Sequence, residues 1–237
     1  MSRTPRALVL AAPGTNRDGD VSLALRLAGA DPTVVLLAEL LADPSALDRA
    51  EMLVVAGGFS YADALGAGRM WSLELTHGIG EELRSFVNSG RPVIGICNGF
   101  QVLTGTGLLP GALAHNASGR FQCEWVGLRA PTGRCVWTRD LEPFDCPIAH
   151  GEGRYVHPDP SALAAAGQVA LTYTGRNPNG SVLDIAGVCD ESGLVLGLMP
   201  HPENHVVVRQ HPLHRDGVGR PLGLALFRRG VEHAGSL

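Results

Sequence analysis

The sequence predicts an α/β fold: a mostly parallel, twisted sheet with helices on both faces, a nucleophile elbow and a small antiparallel excursion. Three observations predict it. Short apolar runs alternate with helix-length amphipathic stretches over the first hundred residues, the pattern of right-handed βαβ units. A Gly-x-Cys-x-Gly segment follows one of those runs and opens directly into another helical pattern. Beyond residue 111 the alternation stops and strand-like runs follow one another, which reads as antiparallel structure attached to the same domain.

The strands come first as continuous apolar runs, as expected where both faces of a sheet are covered. They fall at residues 6–12 (RALVLAA), 33–37 (TVVLL), 52–56 (MLVVA) and 92–94 (PVI). A helix over residues 20–28 ends at Gly29, a natural left-handed stop. Asp43-Pro44 starts a short helical turn. Trp71, Leu75, Leu83, Phe86 and Val87 mark a longer helix over residues 67–88, broken near Gly78 or Gly80. Strands are also expected at 121–128, 135–138, 169–172, 182–188 and 194–199, a short helix at 161–166, and a closing amphipathic helix at 222–231. Residues 148–155, dense in polar side chains and glycine, read as a functional loop. Residues 210–220, rich in His and Gly, read as a loop as well. No internal repeat or low-complexity linker divides the chain, so residues 1–237 are taken as one domain.

Composition narrows the class of function. Of 237 residues, 45% are hydrophobic and 18% charged, as in a soluble globular protein. The net charge of -4 implies no broad basic surface for nucleic acid, and an aromatic content of 5% offers few stacking platforms. The five cysteines, at 97, 123, 135, 146 and 189, are scattered and odd in number, which fits a reducing compartment. With no signal-like start and no membrane-length apolar run, the expected location is the cytoplasm.

The chemistry centres on Gly95-Ile96-Cys97-Asn98-Gly99. A residue at a sharp strand-to-helix turn is lifted above the sheet toward solvent, and the flanking glycines remove β-carbons where the helix crosses back over the strand. The helix start offers free N–H groups and a positive dipole end, both of which favour a thiolate. The plainer reading is a buried structural cysteine. Taken alone, the segment is open to a protease or a thioesterase as well. A nucleophile needs a base, and His201 is the best placed of nine histidines. It ends a predicted strand, and Glu203 stands two residues on. In an extended backbone the two side chains project to one side. Cys97, His201 and Glu203 then serve as nucleophile, general acid/base and orienter. The metal reading is weaker. His201 and His205 are four apart, but the order His-Pro-Glu-Asn-His does not match a zinc-protease helix, so no metal is expected. His205, His211 and His214 read as surface or loop residues. Gly57-Gly58 leaves the third strand, where ligands of open parallel sheets bind, although a tight turn explains two glycines equally well.

The segment from Gly95 to Gln101 with the later His201-Pro202-Glu203 resembles the class I, triad-type glutamine amidotransferases. Further stretches resemble the glutaminase subunits of phosphoribosylformylglycinamidine synthases: Gly57-Gly58-Phe59-Ser60-Tyr61, Arg120-Phe121-Gln122-Cys123, the run from Ile148 to Tyr155, and Asn177-Pro178-Asn179-Gly180-Ser181. The similarity runs over essentially the whole chain. It implies attack of Cys97 on the side-chain amide of glutamine, an oxyanion hole from the backbone N–H groups of Gly58 and Asn98, proton transfer by His201 and orientation by Glu203. Gly57, Gln101, His150 and Gly151 are the implied substrate-pocket residues. The implied role is an ammonia source for the ATP-dependent conversion of formylglycinamide ribonucleotide to its amidine in purine biosynthesis.

No phosphate-cradling GxxxxGK[ST] or post-strand GxGxxG occurs, so no cofactor is expected on this chain. ATP and Mg are expected on a synthetase subunit that receives the ammonia, with a small third subunit as a further possible partner. Two other readings stand: a glutaminase feeding a different synthase, and a non-catalytic binding module that kept the fold. The triad argues against the module, and the HGEGRY and NPNGS stretches argue against the other synthase. The chain departs from the family pattern after Tyr61, where a usual Gly is Ala62 and a usual Arg is Gly66. This puts the backbone near the oxyanion loop in question.

Overall fold

The computed structural model describes residues 4–131, 133–218 and 220–237. One nine-stranded sheet runs through it, with the strands side by side in the order given next. Its first half is parallel: β2 (Asp31–Leu36), β1 (Arg6–Ala11), β3 (Met52–Val55), β4 (Val93–Ile96) and β11 (Val195–Leu198). The second half continues from β11 by antiparallel pairing through β10 (Ile185–Cys189), β9 (Val169–Thr174), β6 (Gln122–Arg129) and β7 (Phe144–His150). A separate two-stranded antiparallel ribbon joins β5 (Ala112–Ala114) to β8 (Arg154–Val156). The expected antiparallel excursion is therefore mostly an extension of the main sheet.

The central strands β3, β4 and β11 are buried at every residue, which explains why they read as unbroken apolar runs. Helices α1 (Asp18–Ala28) and α6 (Leu224–Ala234) pack against each other, and α3 (Arg69–Asn88) packs against α4 (Asn98–Gly105). Strand β3 touches both α6 and α4, so it is covered from both sides. Shorter helices α2 (Leu37–Ala42) and α5 (Pro160–Ala165) complete the set. The break expected in α3 falls at Ile79, between the two glycines, where φ is -142°.

Three sequence expectations are corrected. Residues 135–138 form a turn rather than a strand: Thr138 N–H donates to the Cys135 carbonyl at 3.1 Å, and Trp137 is fully buried and donates from Nε1 to the Leu194 carbonyl at 3.0 Å. The apolar residues there plug the core from a turn. Residues 148–155 are mainly the end of β7 and the start of β8, and only 151–153 lie between them. Cross-strand partners that the local sequence does not contain supply the pairing: Gln122 opposite His150, and Leu113 opposite Tyr155. His205 and His211 are buried rather than exposed, packed against Trp125 with ring centroids 5.1 and 4.6 Å away.

Candidate active site

The elbow forms because β4 ends and α4 begins with one residue between them. That residue, Cys97, takes φ 51° and ψ -105°, a conformation that L-residues avoid unless their surroundings enforce it. The enforcement is steric. A β-carbon at Gly99 would stand 2.0 Å from the Val55 carbonyl oxygen of β3, and one at Gly95 would stand 2.5 Å from the Gly99 carbonyl oxygen. The glycines are thus required by helix-on-strand contact, as the sequence suggested. Backbone bonds clamp the turn: Cys97 N–H donates to the Leu198 carbonyl at 2.8 Å, and the Cys97 carbonyl accepts from Phe100 and Gln101. The expectation that Cys97 stands in solvent is corrected. It is 6% exposed, because Ala149 of β7 covers it, with the Ala149 carbonyl 3.8 Å from Sγ.

His201 follows β11, the strand that pairs with β4 in register, so strand pairing delivers His201 beside Cys97. The segment is not extended as expected. Pro202–Asn204 is a 3₁₀ turn, and this turn brings Glu203 back toward His201. The His201 Nδ1–H donates to Glu203 Oε1 at 2.6 Å, with both side chains buried. Burial alone would depress the His201 pKa, but the Glu203 carboxylate and the neighbouring Cys97 outweigh it and raise the pKa to about 10. The imidazole is therefore held as a cation between a carboxylate and the thiol. Gly57 lies against the side chains of both His201 and Cys97. A β-carbon there would come within 3.2 Å of His201 Cε1 and 3.5 Å of Cys97 Cβ.

Gly58, with φ 145°, is locked against the turn after β1, where a β-carbon would meet Asn16 N and Thr15 Cα at 2.8 Å. Gly58 and Cys97 line the same cavity, of about 210 Å³, together with Gln101, His150, Gly151 and Glu152. Neither the Gly58 nor the Asn98 backbone N–H has an acceptor among the described residues. Gln101 proves to be spoken for. Its Nε2 donates to the Glu152 carbonyl at 2.7 Å, and its Oε1 accepts from Asn98 Nδ2 at 2.9 Å, while Ser60 Oγ donates to Asn98 Oδ1 at 2.5 Å. This relay ties the loop after β3, the elbow helix and the β7–β8 connection into one frame. A larger hollow, of about 480 Å³, lies beyond Gln101 and Glu152, which line both spaces.

His150 is buried and its tautomer is fixed by Asn116. The Asn116 Nδ2 donates to two carbonyls, of Arg120 and of His150, at 2.9 and 2.8 Å. Its Oδ1 therefore faces the Gly153 N–H and the His150 Nδ1, each at 3.1 Å, so Nδ1 carries the proton. Burial, and secondarily the charge on His201, depress the His150 pKa to about 4. Sequence reasoning missed Asn116, Ala149, Asp63 and Glu152. The HGEGRY stretch signalled only the neighbourhood of Glu152, and nothing local marked Asn116.

A family model for the CobB/CobQ-like glutamine amidotransferase domain matches residues 4–234. The phosphoribosylformylglycinamidine synthase subunit PurQ of Treponema denticola is 44% identical, over 97% of this chain and 98% of that one. The protein of the same name from Dehalococcoides mccartyi is 42% identical, over 97% of each chain. Among solved structures, PurLQS from Thermotoga maritima contains a chain 37% identical that superposes with a TM-score of 0.82, covering 97% of this chain and 99% of that chain.

The chain belongs to the PurQ family of glutamine amidotransferases. Membership agrees with the fold and the class of activity implied by the elbow and by His201-Pro202-Glu203. The departures of this PurQ-family chain have visible local effects. Ala62 has a left-handed φ of 50°, a conformation that a glycine would adopt without steric cost. Gly66 has φ 103°, and the stem of Arg69 covers it, with Cδ 3.3 Å from where a β-carbon would be.

Proposed function

We propose that this chain is the glutaminase subunit of phosphoribosylformylglycinamidine synthase, with Cys97, His201 and Glu203 as its catalytic residues. The observation that carries the residue assignment is the buried His201–Glu203 contact of 2.6 Å beside a cysteine held at a strained strand-to-helix turn. Cys97 attacks the carboxamide carbon of glutamine as the thiolate. The oxyanion forms between the free N–H groups of Gly58 and Asn98, donors of a kind that contribute ~2.7–4 kcal/mol each to the transition state. His201 gives its proton to the departing ammonia, then takes one from the water that cleaves the γ-glutamyl thioester. Glu203 holds the imidazole in place through Nδ1 and stabilises its cation. Gly57 leaves room for substrate between nucleophile and base. Gln101 acts as a strut for the pocket wall, while His150 and Gly151 line it.

The ammonia passes to a synthetase subunit that binds ATP, Mg and the ribonucleotide; this chain binds no cofactor. The likeness to a chain of PurLQS from Thermotoga maritima supports a synthetase partner here, and a small third subunit is a further possible partner. The protein works in the cytoplasm as one amidotransferase domain; the nine-stranded sheet that runs from end to end of the fold supports the reading of one domain. Among the described residues no helix is long and apolar enough to cross a membrane. The test is Cys97→Ser in the complex reconstituted with its synthetase. Glutamine-dependent amidine formation is expected to disappear while ammonia-dependent formation continues. Equal loss of both would contradict the assignment.

A further inference from the structure

The wall that covers Cys97 crosses from one sheet to another. Strand β7 is an edge strand of the nine-stranded sheet, and its last pair is His150 with Gln122; from Arg154 the chain pairs with β5 instead. Ala149, His150, Gly151 and Glu152 line the Cys97 cavity, and the Ala149 carbonyl lies 3.8 Å from Sγ. Groups from other segments take up the main chain of this crossing. Asn116 holds the His150 carbonyl and the Gly153 N–H through its side chain, and the Gly151 carbonyl through its own N–H at 2.9 Å. Gln101 holds the Glu152 carbonyl. The remaining grips come from Asn177-Pro178-Asn179-Gly180-Ser181, a stretch to which the triad gives no role. Asn179 Nδ2 donates to the Gly153 carbonyl at 2.7 Å, and Ser181 Oγ accepts from the Tyr155 N–H at 2.9 Å.

This grip admits one geometry. Asn179 is 1% exposed and Ser181 is 4% exposed. The Asn179 amide also donates to the Tyr173 hydroxyl oxygen at 3.2 Å, while its Oδ1 accepts from the Ser181 N–H at 3.0 Å and from the Ser181 hydroxyl at 2.7 Å. Both amide protons and both lone pairs are thus in use. The Ser181 proton is committed to Asn179, which leaves its oxygen to accept from Tyr155. Asn177 shapes the turn from within: Oδ1 accepts from the N–H groups of Asn179 and Gly180 at 3.2 and 2.8 Å, and Nδ2 donates to the Ser181 carbonyl at 2.8 Å. The turn is tied to the Asn116 segment as well, since the Ala117 N–H donates to the Asn179 carbonyl at 2.9 Å. Gly180, with φ 80°, lets the two approach; a β-carbon there would stand 2.7 Å from Ala117 Cβ. A buried network whose members are all satisfied is stiff, and removing one member strands the others. Resting on the glutaminase reading above, we propose that Asn179 and Ser181 are positioning residues that latch residues 150–155 across the elbow, so that the wall keeps Cys97 covered and keeps its shape against an amide substrate. Neither residue lines the cavity, so the latch acts through the wall.

The test reads the wall directly. The full-length chain is treated with N-ethylmaleimide, a thiol reagent that needs no substrate pocket, and peptide mass mapping follows each cysteine. The exposed Cys123 shows that the reagent is active, and the buried Cys135, Cys146 and Cys189 report global unfolding. In Asn179→Ala, alkylation of Cys97 is expected to be about tenfold faster than in the wild type while those three stay unreacted. Glutamine cleavage by the same variant, in the complex with the synthetase, should fall about 10- to 100-fold in kcat/KM, mainly through KM. Ser181→Ala is the milder variant and should move both readings the same way by a smaller factor. Arg176→Ala removes an exposed ion pair with Glu124 beside the same turn and is expected to change neither. Lost glutamine cleavage with Cys97 alkylated no faster than in the wild type would overturn the latch. So would alkylation of Cys97 that rises only together with Cys135, Cys146 and Cys189, or two variants indistinguishable from the wild type. A wild-type complex that cleaves no glutamine would overturn the glutaminase reading, and the rate of Cys97 alkylation would then uphold or overturn the latch by itself.

Discussion

The elbow at Cys97 and the loop over residues 57–68 both leave central parallel strands, and both hold side-chain-bearing residues in the left-handed region. Their support differs. At the elbow a single strained residue sits between glycines whose missing β-carbons admit Val55 and the Gly99 backbone, and strand bonds fix it on both sides. The loop carries three consecutive strained residues, Tyr61, Ala62 and Asp63, an exposed Phe59 and Leu65, and a buried carboxylate oxygen with no donor among the described residues. Strain at the elbow is enforced by dense packing from several strands. Strain in the loop is enforced at a few points, by the bond from Tyr61 to the Pro13 carbonyl and by the Ser60–Asn98 contact. On the proposed assignment the nucleophile sits on the rigid element, and the loop that carries the Gly58 N–H is held at fewer points, as expected where local stability varies across a fold.

The largest effect should come from the elbow. Removing the nucleophile in Cys97→Ser is expected to cost at least ~10⁴-fold in glutaminase rate, measured as glutamate release, since loss of a triad nucleophile alone removes most of the catalytic gain. Gly99→Ala asks whether packing is what holds the strain. Its β-carbon must displace a backbone carbonyl at 2.0 Å, so a destabilisation above ~3 kcal/mol is expected in chemical denaturation. An unaffected midpoint would mean that the elbow is as yielding as the loop.

Glu203→Gln tests the charge held behind the elbow. Burial already opposes the His201 cation, so losing the carboxylate lets its pKa fall from about 10, and the alkaline limb of the kcat/KM profile should move to lower pH. The stability sign follows from the raised value. The ion pair contributes fully below the ordinary histidine value of ~6.5, and that contribution is lost as pH rises toward about 10. The wild type should therefore lose its advantage over E203Q across that window, and parallel stability curves would exclude the pair. The smallest change addresses the loop. Ala62→Gly relieves a left-handed alanine and should add ~1 kcal/mol, or about 2–4 °C in Tm, an effect that thermal scanning can measure.

What the sequence made legible was whatever depends on neighbours in the chain. The parallel strands, the glycines of the elbow and the proximity of His201 to Glu203 were readable because each is a local pattern with a local cause. What depended on distant partners was not. Trp137 is buried from a turn because α6 makes room for it at Gly230, where a β-carbon would be 2.1 Å from the indole. Its residues looked like a strand for want of that knowledge. The end of β7 looked like a loop because its hydrogen-bonding partner, β6, begins some thirty residues earlier in the chain. The burial of Cys97 required β7 to fold across it. Asp63 gave no signal, since an aspartate in a glycine-rich loop is ordinary until its missing donor is seen.

Strand β11 is among the last elements made, yet it lies in the middle of the sheet, between β4 and β10. During synthesis the chain therefore carries its cysteine for about a hundred residues before the strand bearing His201 can emerge and insert beside it. On the proposed assignment of Cys97 and His201, a growing or truncated chain has a nucleophile but no base, and β4 lacks one neighbour. On that assignment glutamine is safe from unfinished copies of the subunit, and competence to cleave it arrives with completion of the sheet.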